Sequence, residues 1–447
     1  GVGAETLDTV VLPDQGVNAN ISLPQFDVDA WAAVLAQASA APIAGAVVAE
    51  GLGLGYLPSS VAARTAQLTF GERQYSHVVI GAGRDGLLWR ANVDATELNG
   101  YLEYRQASDA STASGAGRVY ARLARLTVAP SAASEVEALL DAQPASIPAL
   151  DIVVDDFELR GKRFGRLEVE AINRAVLAQP GAPGAREWRL NKFNLIVPEA
   201  TLTASGNWAR INAQAGQPVA ASSIAAAERR RTVLNFKLDI ADGGKLLGRF
   251  GMPDVVRLAS GRMEGQIAWM GSPLKLDYPT LGGAFTVNVA SGQFLKAEPG
   301  IAKLLGVLSL QALPRRLSLD FRDVFSEGFS FDFLRGDVTV DKGLARTNNL
   351  QMKGVNAAVL MEGQADIARE TQDLKVVVVP EINAGTASLI ATVINPAIGL
   401  GSFLAQLFLR RPLIESATQE FRVDGSWADP RVTKVTHVAP TTKESSP

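Results

Sequence analysis

The sequence predicts a mainly β fold built on antiparallel sheet, with only a few short helices. Three observations carry that expectation. Apolar residues recur at every second position along most of the chain. Turn signals separate those runs, and helical spacing is confined to short stretches. The 447 residues are 47% hydrophobic, 20% charged and 6% aromatic, with 41 Gly, 22 Pro and no Cys. A length near three times that of an average domain suggests about three units, although large β structures often run longer as one. The hydrophobic fraction supports a core and excludes a wholly disordered chain. Without cysteine there is no disulfide, no thiolate chemistry and no Cys-ligated zinc. His77 and His437 are the only histidines, far apart, so no His-rich metal site is expected. A net charge of −3 gives no bulk attraction for nucleic acid. The chain opens at Gly1 with no Met, basic n-region or apolar h-region, so any signal or anchor the natural protein has is expected upstream of it.

Taken in order, Val28–Ser39 has helical spacing, with Asp27 as its N-cap. Gly51, Gly53 and Gly55 read as a flexible turn. Arg84-Asp85-Gly86 and Asn99-Gly100 mark turns between strands. Ser134–Ala142 is a short amphipathic helix candidate. Residues 212–231, rich in Ala, Ser and Gln and ending Arg229-Arg230-Arg231, read as a linker or exposed crossing. In Thr232–Ile240, the residues Leu234, Phe236, Leu238 and Ile240 share one face, opposite Asn235, Lys237 and Asp239. Asp242-Gly243-Gly244 reads as a turn, and Pro253–Ala259 as one or two helical turns. Pro299–Leu310 is an apolar helix with Pro299 at its favoured first position. Leu317, Leu319 and Phe321 alternate with Ser318, Asp320 and Arg322, and Phe329, Phe331 and Phe333 keep the same phase. Asp341-Lys342-Gly343 is a further turn. Val359, Met361 and Ile367 lie opposite Glu362, Gln364 and Asp366, and Phe421, Val423 and Trp427 opposite Arg422, Asp424 and Ser426. Strands wet on one face and dry on the other imply antiparallel pairing.

Ile382–Leu409 carries no charge and is long enough for a bilayer span. Scattered Asn, Thr, Ser and Gln, the break at Asn395-Pro396 and the strand pattern from Thr418 argue instead for two short apolar helices, about 384–394 and 396–409. These are expected to be buried against the sheet or to lie on a membrane surface. The resulting segments are 1–211, 212–231, 232–381 and 382–447. A faint repeat is present. Trp89-Arg90-Ala91-Asn92 recurs as Trp188-Arg189-Leu190-Asn191, and apolar-x-apolar-x-Gly-x-Trp occurs at Leu202–Trp208 and Phe421–Trp427, more loosely at Met263–Trp269. That suggests a sheet grown by adding similar hairpins.

Gly81-Ala82-Gly83-Arg84-Asp85-Gly86 follows an apolar run, as in dinucleotide-binding folds. That chemistry needs a helix to begin there so that its amides hold a pyrophosphate. Leu87–Val93 reads as another strand, so a hairpin is the better reading. Asp155-Asp156 and Glu168/Glu170 are solvated strand positions rather than a facing acid pair. No G-x-S-x-G elbow occurs. Arg229–Arg231 and Arg315-Arg316 solvate turns more readily than they bind phosphates. The alternating dry faces need a second layer, yet amphipathic helices are scarce. Either the sheet folds over on itself, or its dry face covers something that is not protein.

Glu298-Pro299-Gly300-Ile301 and the run Gly306–Leu317, continuing through Leu319–Phe329, resemble the C-terminal region of the YhdP branch of AsmA-like proteins. Asn395-Pro396, Arg410-Arg411-Pro412 and Phe421-Arg-Val-Asp-Gly-Ser-Trp427 add to the likeness. Weaker similarity extends back to about Leu68. The resemblance implies a distal piece of a long periplasmic protein of Gram-negative bacteria, anchored in the inner membrane elsewhere. It implies an elongated, strongly bent sheet forming an apolar trough, and phospholipid carriage toward the outer membrane. It transfers no catalytic residue, no cofactor and no metal.

On that reading the trough lining follows from strand phase: Leu234, Phe236, Leu238, Ile240, Leu317, Leu319, Phe321, Phe329, Phe331, Phe333, Val359, Met361, Ile367, Phe421, Val423 and Trp427. The expected membrane-contact or capping set is Leu389, Ile390, Ile394, Ile398, Leu400, Phe403, Leu404, Leu407 and Phe408. The expected partners are phospholipid acyl chains and, at the C-terminal end, the outer membrane or a protein in it. Moving a bare two-chain lipid through water exposes about thirty methylenes at roughly 0.8 kcal/mol each, on the order of 25 kcal/mol. A continuous apolar surface removes most of that cost, provided no deep well traps the lipid. The alternatives from other classes are a lipid-free β scaffold or binding module and, less favoured, a glycan-active enzyme.

Overall fold

The computed structural model describes residues 2–3, 17–31, 33–34, 58–70, 73–107, 117–128, 147–176, 185–210, 230–273, 276–295, 329–354, 357–380, 392–410 and 412–435. The expected helices at 134–142 and 299–310, the crossing at 212–229 and the first apolar helix over 384–391 lie outside these residues. So do Gly51, Gly53, Gly55, Leu317, Leu319, Phe321, Leu389, Ile390 and the side chain of Phe329. The protein is mainly β, an open mixed sheet with few short helices. It divides into two compact units, one formed by residues 1–197, 203–232 and 271–275, the other by 198–202, 233–270 and 276–447.

The first unit begins with β1 (Val2–Gly3), β2 (Asn18–Asp27) and β3 (Ser60–Phe70). Asp27 Oδ1 accepts the Ala30 N–H at 2.9 Å and caps a helical turn at 28–31, as its position before Val28 predicts. A meander follows: β4 (Arg73–Asp85), β5 (Leu88–Asp94), β6 (Leu98–Arg105) and β7 (Arg118–Val128). Then come β8 (Ala149–Leu159), β9 (Lys162–Val176), β10 (Ala185–Val197) and β11 (Ala200–Arg210). Gly86 takes φ +58 in the two-residue turn from β4 to β5. The glycine-rich segment is therefore a hairpin, with no helix after it.

Two sequence expectations change here. Pairing is not purely antiparallel: β1–β2, β2–β3 and β7–β8 run parallel. The connections from β2 to β3 and from β7 to β8 are long enough to return the chain to the same end, which a hairpin does not do. Asn99-Gly100 is not a turn but lies inside β6, where the pairing with β7 shifts register. Gly100 has φ +142, and a Cβ there would lie 2.4 Å from the Arg122 carbonyl oxygen. The glycine is required for close approach at a bulge, not for chain reversal.

The second unit contains β12 (Arg230–Ile240), helix α1 (Gly243–Arg249), β13 (Val256–Leu258), β14 (Gly261–Met270), β15 (Gly282–Val289) and β16 (Gly292–Phe294). It continues with β17 (Phe329–Asp341), β18 (Leu344–Gly354), β19 (Ala357–Asp366), β20 (Thr371–Pro380), helices α2 (Gly399–Arg410) and α3 (Pro412–Ala417), β21 (Gln419–Ser426) and β22 (Pro430–Val435). Asp242 is a helix cap rather than a turn residue: its carboxylate accepts the Lys245 N–H at 3.1 Å. Arg249, in the last turn of α1, donates to both oxygens of buried Glu199, one of them at 3.1 Å. That partner holds the Glu199 carboxyl below its usual range. Pro253–Ala259 is not helical. Asp254, Leu258 and Ala259 take φ between +61 and +65, which a right-handed helix excludes, and Val256–Leu258 pairs with β16 instead.

Candidate functional site

Register in the first unit assembles its side chains into rows that cross the strands. One row runs Ala19, Val61, Ala82, Ala91, Leu102, Ala121, Ile152, Val169, Phe193, one residue from each of β2 to β10. The adjacent row runs Ile21, Ala63, Ile80, Val93, Gly100, Leu123, Val154, Leu167, Leu195. Directly paired residues point to the same face of a sheet, so both rows belong to one surface. Every member is apolar or, at Gly100, has no side chain. Eight interstrand steps of about 4.8 Å make this stripe about 38 Å long, measured along the sheet.

The opposite face is polar in the same register. Arg90, Glu103, Tyr120, Asp151, Glu170 and Lys192 follow one another across β5 to β10. Ion pairs link Arg90 to Glu103 at 3.6 Å, Arg122 to Asp151 at 2.8 Å and Lys192 to Glu168 at 2.7 Å. Lys192 and then Arg166 hold the Glu168 carboxyl down to about 2. Such a face gains little stability from each exposed pair, but its charge keeps the sheet from being covered on that side.

The apolar rows differ in their cover. Ala121, Leu123, Val154 and Leu167 are buried and form the centre of one cluster. Ala19, Ile21, Val61, Ile80, Ala82, Ala91, Val93 and Leu102 toward one side, and Phe193 and Leu195 on the other, are only partly buried. These positions were not among the expected lining residues. Their signal was present, since Val61/Ala63, Val78/Ile80/Ala82 and Ala91/Val93 alternate. Frequent alanine dilutes it beside the larger aromatic stripes further along the chain.

The second unit places the expected residues unevenly. Phe331, Val359, Met361 and Val423 come together in one buried cluster, with Phe421 packed at its side. Val359 and Val423 are 0% exposed. Phe331 also meets Phe294, ring centroids 5.2 Å apart. Leu234 and Ile367 pack around a different group, Trp269, Leu281 and Val340. Phe236 lies 6.3 Å from Phe285, centroid to centroid. Leu238 and Ile240 are partly buried. Phe333 does not share the face of Phe331: Phe331 opposes Gly354 while Phe333 opposes Lys353, a bulge that reverses the phase between them. The Arg335 guanidinium sits 4.2 Å above the Phe333 ring. Trp427 follows the end of β21 and is 42% exposed.

The expected membrane-contact residues divide as well. Ile394, Leu400, Leu404 and Leu407 are buried with Ala358, Leu360, Val377 and Val379. Phe403 and Phe408 pack at the edge of that group. Thus β19 and β20 are covered on both faces, by α2 and α3 on one side and by the Phe331 cluster on the other. Before α2, the segment 392–396 is pinned to β18 by side chains. Gln351 Nε2 donates to the Thr392 carbonyl and its Oε1 accepts the Ile394 N–H, both at 3.2 Å. Asn349 donates to the Ile394 carbonyl at 3.2 Å, and Asn348 to that of Pro396 at 2.7 Å. What remains open is Ile398, 50% exposed, and Leu409, 86% exposed beside Arg410. Among the described residues no helix is long and apolar enough to cross a membrane, and no group of three or more His, Asp or Glu is placed to hold a metal.

These features define a class: a mainly β protein whose regular feature is a long apolar sheet face rather than a cluster of reactive side chains. The family model described as YhdP protein matches residues 1–432, and the chain belongs to the YhdP family. It is 30% identical over 201 residues to the intermembrane phospholipid transporter YhdP of Escherichia coli (strain K12), a match covering 43% of this chain and 16% of that relative. No solved structure matches.

Proposed function

We propose that this chain carries phospholipid without enzymatic chemistry, as a distal piece of a bridge between the inner and outer membranes, with acyl chains lying on the apolar face of the first unit. The observation that carries this reading is the pair of unbroken apolar rows across β2–β10. Their composition suits a path. Ala19, Ala63, Ala82, Ala91, Ala121 and Gly100 are interspersed with Leu, Ile and Val. Short side chains leave depth for an acyl chain, and longer ones beside them supply contact. No member offers a hydrogen bond that would hold a lipid at one place. The relative's name supports phospholipid as the cargo. The exposed Ile398 and Leu409 fit contact with an outer-membrane surface or a protein in it, with Leu400, Leu404 and Leu407 fastening the helix to the sheet.

Native mass spectrometry of the purified chain tests the cargo. Co-purified phospholipid, lost when Ala82 and Ala91 are both changed to Asp, is the expected result. A lipid-free wild-type chain that also takes up none from vesicles would overturn the reading. A specific observation favours the scaffold alternative for the second unit: its expected lining residues Phe331, Val359, Met361 and Val423 are sealed in a core. Liposome flotation tests the terminal helix, with I398D/L409D expected to float less than wild type.

A further inference from the structure

The apolar face of the first unit continues past its two rows toward one set of strand ends. A third row runs Arg84, Trp89, Tyr104, Val119, Leu150, Ala171, Leu190, two residues along each strand from the first row except at the β10 bulge. Beyond Leu190 lies Trp188, directly opposite Asn173. Trp188 and Trp208, the latter in β11, are buried in one cluster with Ile147 and Ala171, bordered by partly buried Leu150 and Leu190. The residues just before the two indoles point the other way. Asn207 donates to Glu187 at 2.9 Å, and Arg174 donates to the same carboxylate at 2.9 Å. Alternation then sets both indoles on the apolar side. Trp188 is 9% exposed and Trp208 2%. Among the described residues, neither indole N–H has an acceptor. The Glu187 carboxylate is on the reverse side, and the Ile147 carbonyl already accepts from Asn173 at 2.9 Å. The Arg230 guanidinium, 5.3 Å from the centre of the Trp208 ring, adds positive charge beside the pair. Two buried donors left unanswered in one cluster are uncommon and call for a physical reason.

From these unanswered donors we infer that Trp188 and Trp208 form a station for the ester carbonyls of a diacyl lipid, at the margin of the acyl path. The inference rests on the acyl-carrying reading and adds which margin takes the ester zone and where a lipid pauses. An ester carbonyl is the matching group. It accepts a hydrogen bond, donates none, and brings no net charge that a dry cluster would have to neutralise. It also sits where the acyl chain begins. Inward from the indoles lie three rows, about 6.8 Å apart at two residues per row, a span of about 20 Å. That accommodates the acyl layer of one lipid, roughly 15 Å, half of a bilayer's hydrocarbon core. Trp89 and Tyr104 hold the third row at the same margin, and rings with one apolar and one polar end suit the zone between hydrocarbon and water. The opposite margin differs: Leu98, Leu126 and Phe157 pack there around Leu123 and Val154. Both Nε1 atoms are closed over, so a carbonyl reaches them when Leu150 or Leu190 turns aside. Pairing offsets that movement, because a buried donor without an acceptor has forfeited the bond it makes with water in the unfolded chain.

The test offers the purified chain a diester lipid, dioleoylphosphatidylglycerol, and its diether analogue with the same chains and headgroup, and reads occupancy by native mass spectrometry. The diether lacks only the carbonyl oxygens. Wild type is expected to prefer the diester about tenfold, the size of one hydrogen bond to a buried donor. W188F/W208F keeps two large rings without an N–H, and is expected to bind both lipids equally, at the level of the diether on wild type. W89F is expected to keep the preference. Indole N–H NMR spectra of the wild-type chain, which has six Trp, supply a readout that does not depend on the double variant folding. The Trp188 and Trp208 signals, assigned through W188F and W208F singly, should move with the diester and stay with the diether. Equal binding of the two lipids by wild type overturns the station and leaves the acyl path standing, the donors then being served by water. A preference that survives in W188F/W208F, or indole signals unmoved by bound diester, also overturns it. Failure of wild type to bind either lipid removes the acyl path and the station with it.

Discussion

Ala91→Asp puts one titratable group into the middle of the proposed acyl path. Ala91 lies between Ala82 and Leu102 in the first apolar row and is partly buried, so the new carboxylate would project onto the face without displacing a core side chain. A lipid chain covering that position must either strip the water from an ionised carboxylate or wait for it to take a proton. The second route is cheaper, because an unpaired buried charge costs far more than its neutralisation. With an ordinary Asp pKa near 3.9, protonation at pH 7 costs about 4 kcal/mol, roughly a thousandfold in the rate of crossing. At pH 5 the same step costs about 1.5 kcal/mol, or roughly tenfold. Acidification should therefore restore transfer in A91D by about two orders of magnitude. A91N supplies the matched control: it is polar, does not titrate, and should show a slowing that is the same at both pH values. Extraction of a fluorescent phospholipid from donor vesicles, at pH 7 and pH 5, measures all three proteins, with circular dichroism confirming that each is folded. A91D that matches wild type at pH 7, or that is impaired equally at both pH values, would refute the reasoning.

Other outcomes follow from particular contacts. Gly363 has φ +141, and a Cβ there would lie 2.3 Å from the Asp373 carbonyl oxygen, so Gly363→Val should cost roughly 2–4 kcal/mol in urea unfolding of the second unit. Glu168 is held to about 2 in the folded chain, below the ordinary 4.5. A depressed carboxyl stabilises the fold above its unfolded pKa and loses that contribution as pH falls through the folded value. The stability gap between wild type and E168Q should thus be full above about pH 5, shrink between 4.5 and 2, and vanish below. Gln351→Leu removes both bonds that hold Thr392 and Ile394 to β18. Faster hydrogen exchange in α2, with β14 and β15 unchanged, is its expected signature, and a cost of about 1–3 kcal/mol its expected size.

Much of this architecture is legible in the residues. Period-two alternation places β12, β17, β19 and β21 within a few residues of their observed bounds, and the charge-free C-terminal stretch yields α2 beginning at Gly399 rather than Pro396. The rest fails for identifiable reasons. Asn99-Gly100 carries the composition of a tight turn, and only the register with Arg122 reveals a bulge. Phe329, Phe331 and Phe333 alternate perfectly, yet one inserted residue in the pairing with β18 turns Phe333 away. The parallel pairs depend on long connections whose direction no local pattern encodes. Burial on both faces is legible in the residues themselves: Ala357–Met361 and Val376–Val379 are uninterrupted apolar runs, the mark of strands covered on two sides.

That last point separates two surfaces written in similar letters. In the second unit, directly paired residues build the row Val289, Leu334, Met352, Val359, Val378 and, beside it, Leu350, Met361, Val376, Phe421. Every member is Val or larger, and β19 and β20 are also apolar on the reverse side, where α2 closes over Leu360 and Val377. Large side chains facing one another fill the space between layers and leave none for a guest. In the first unit the reverse side is charged from Arg90 to Lys192, and alanine or glycine recurs along the apolar rows. A charged reverse face cannot be buried under a second apolar layer without unpairing its ions, and small residues on the obverse face cannot fill a gap alone. The same alternation therefore produces a sealed core where bulk is uniform and both faces are greasy. Where bulk is interrupted and only one face is greasy, it leaves the partly open apolar face to which the proposed acyl path is assigned.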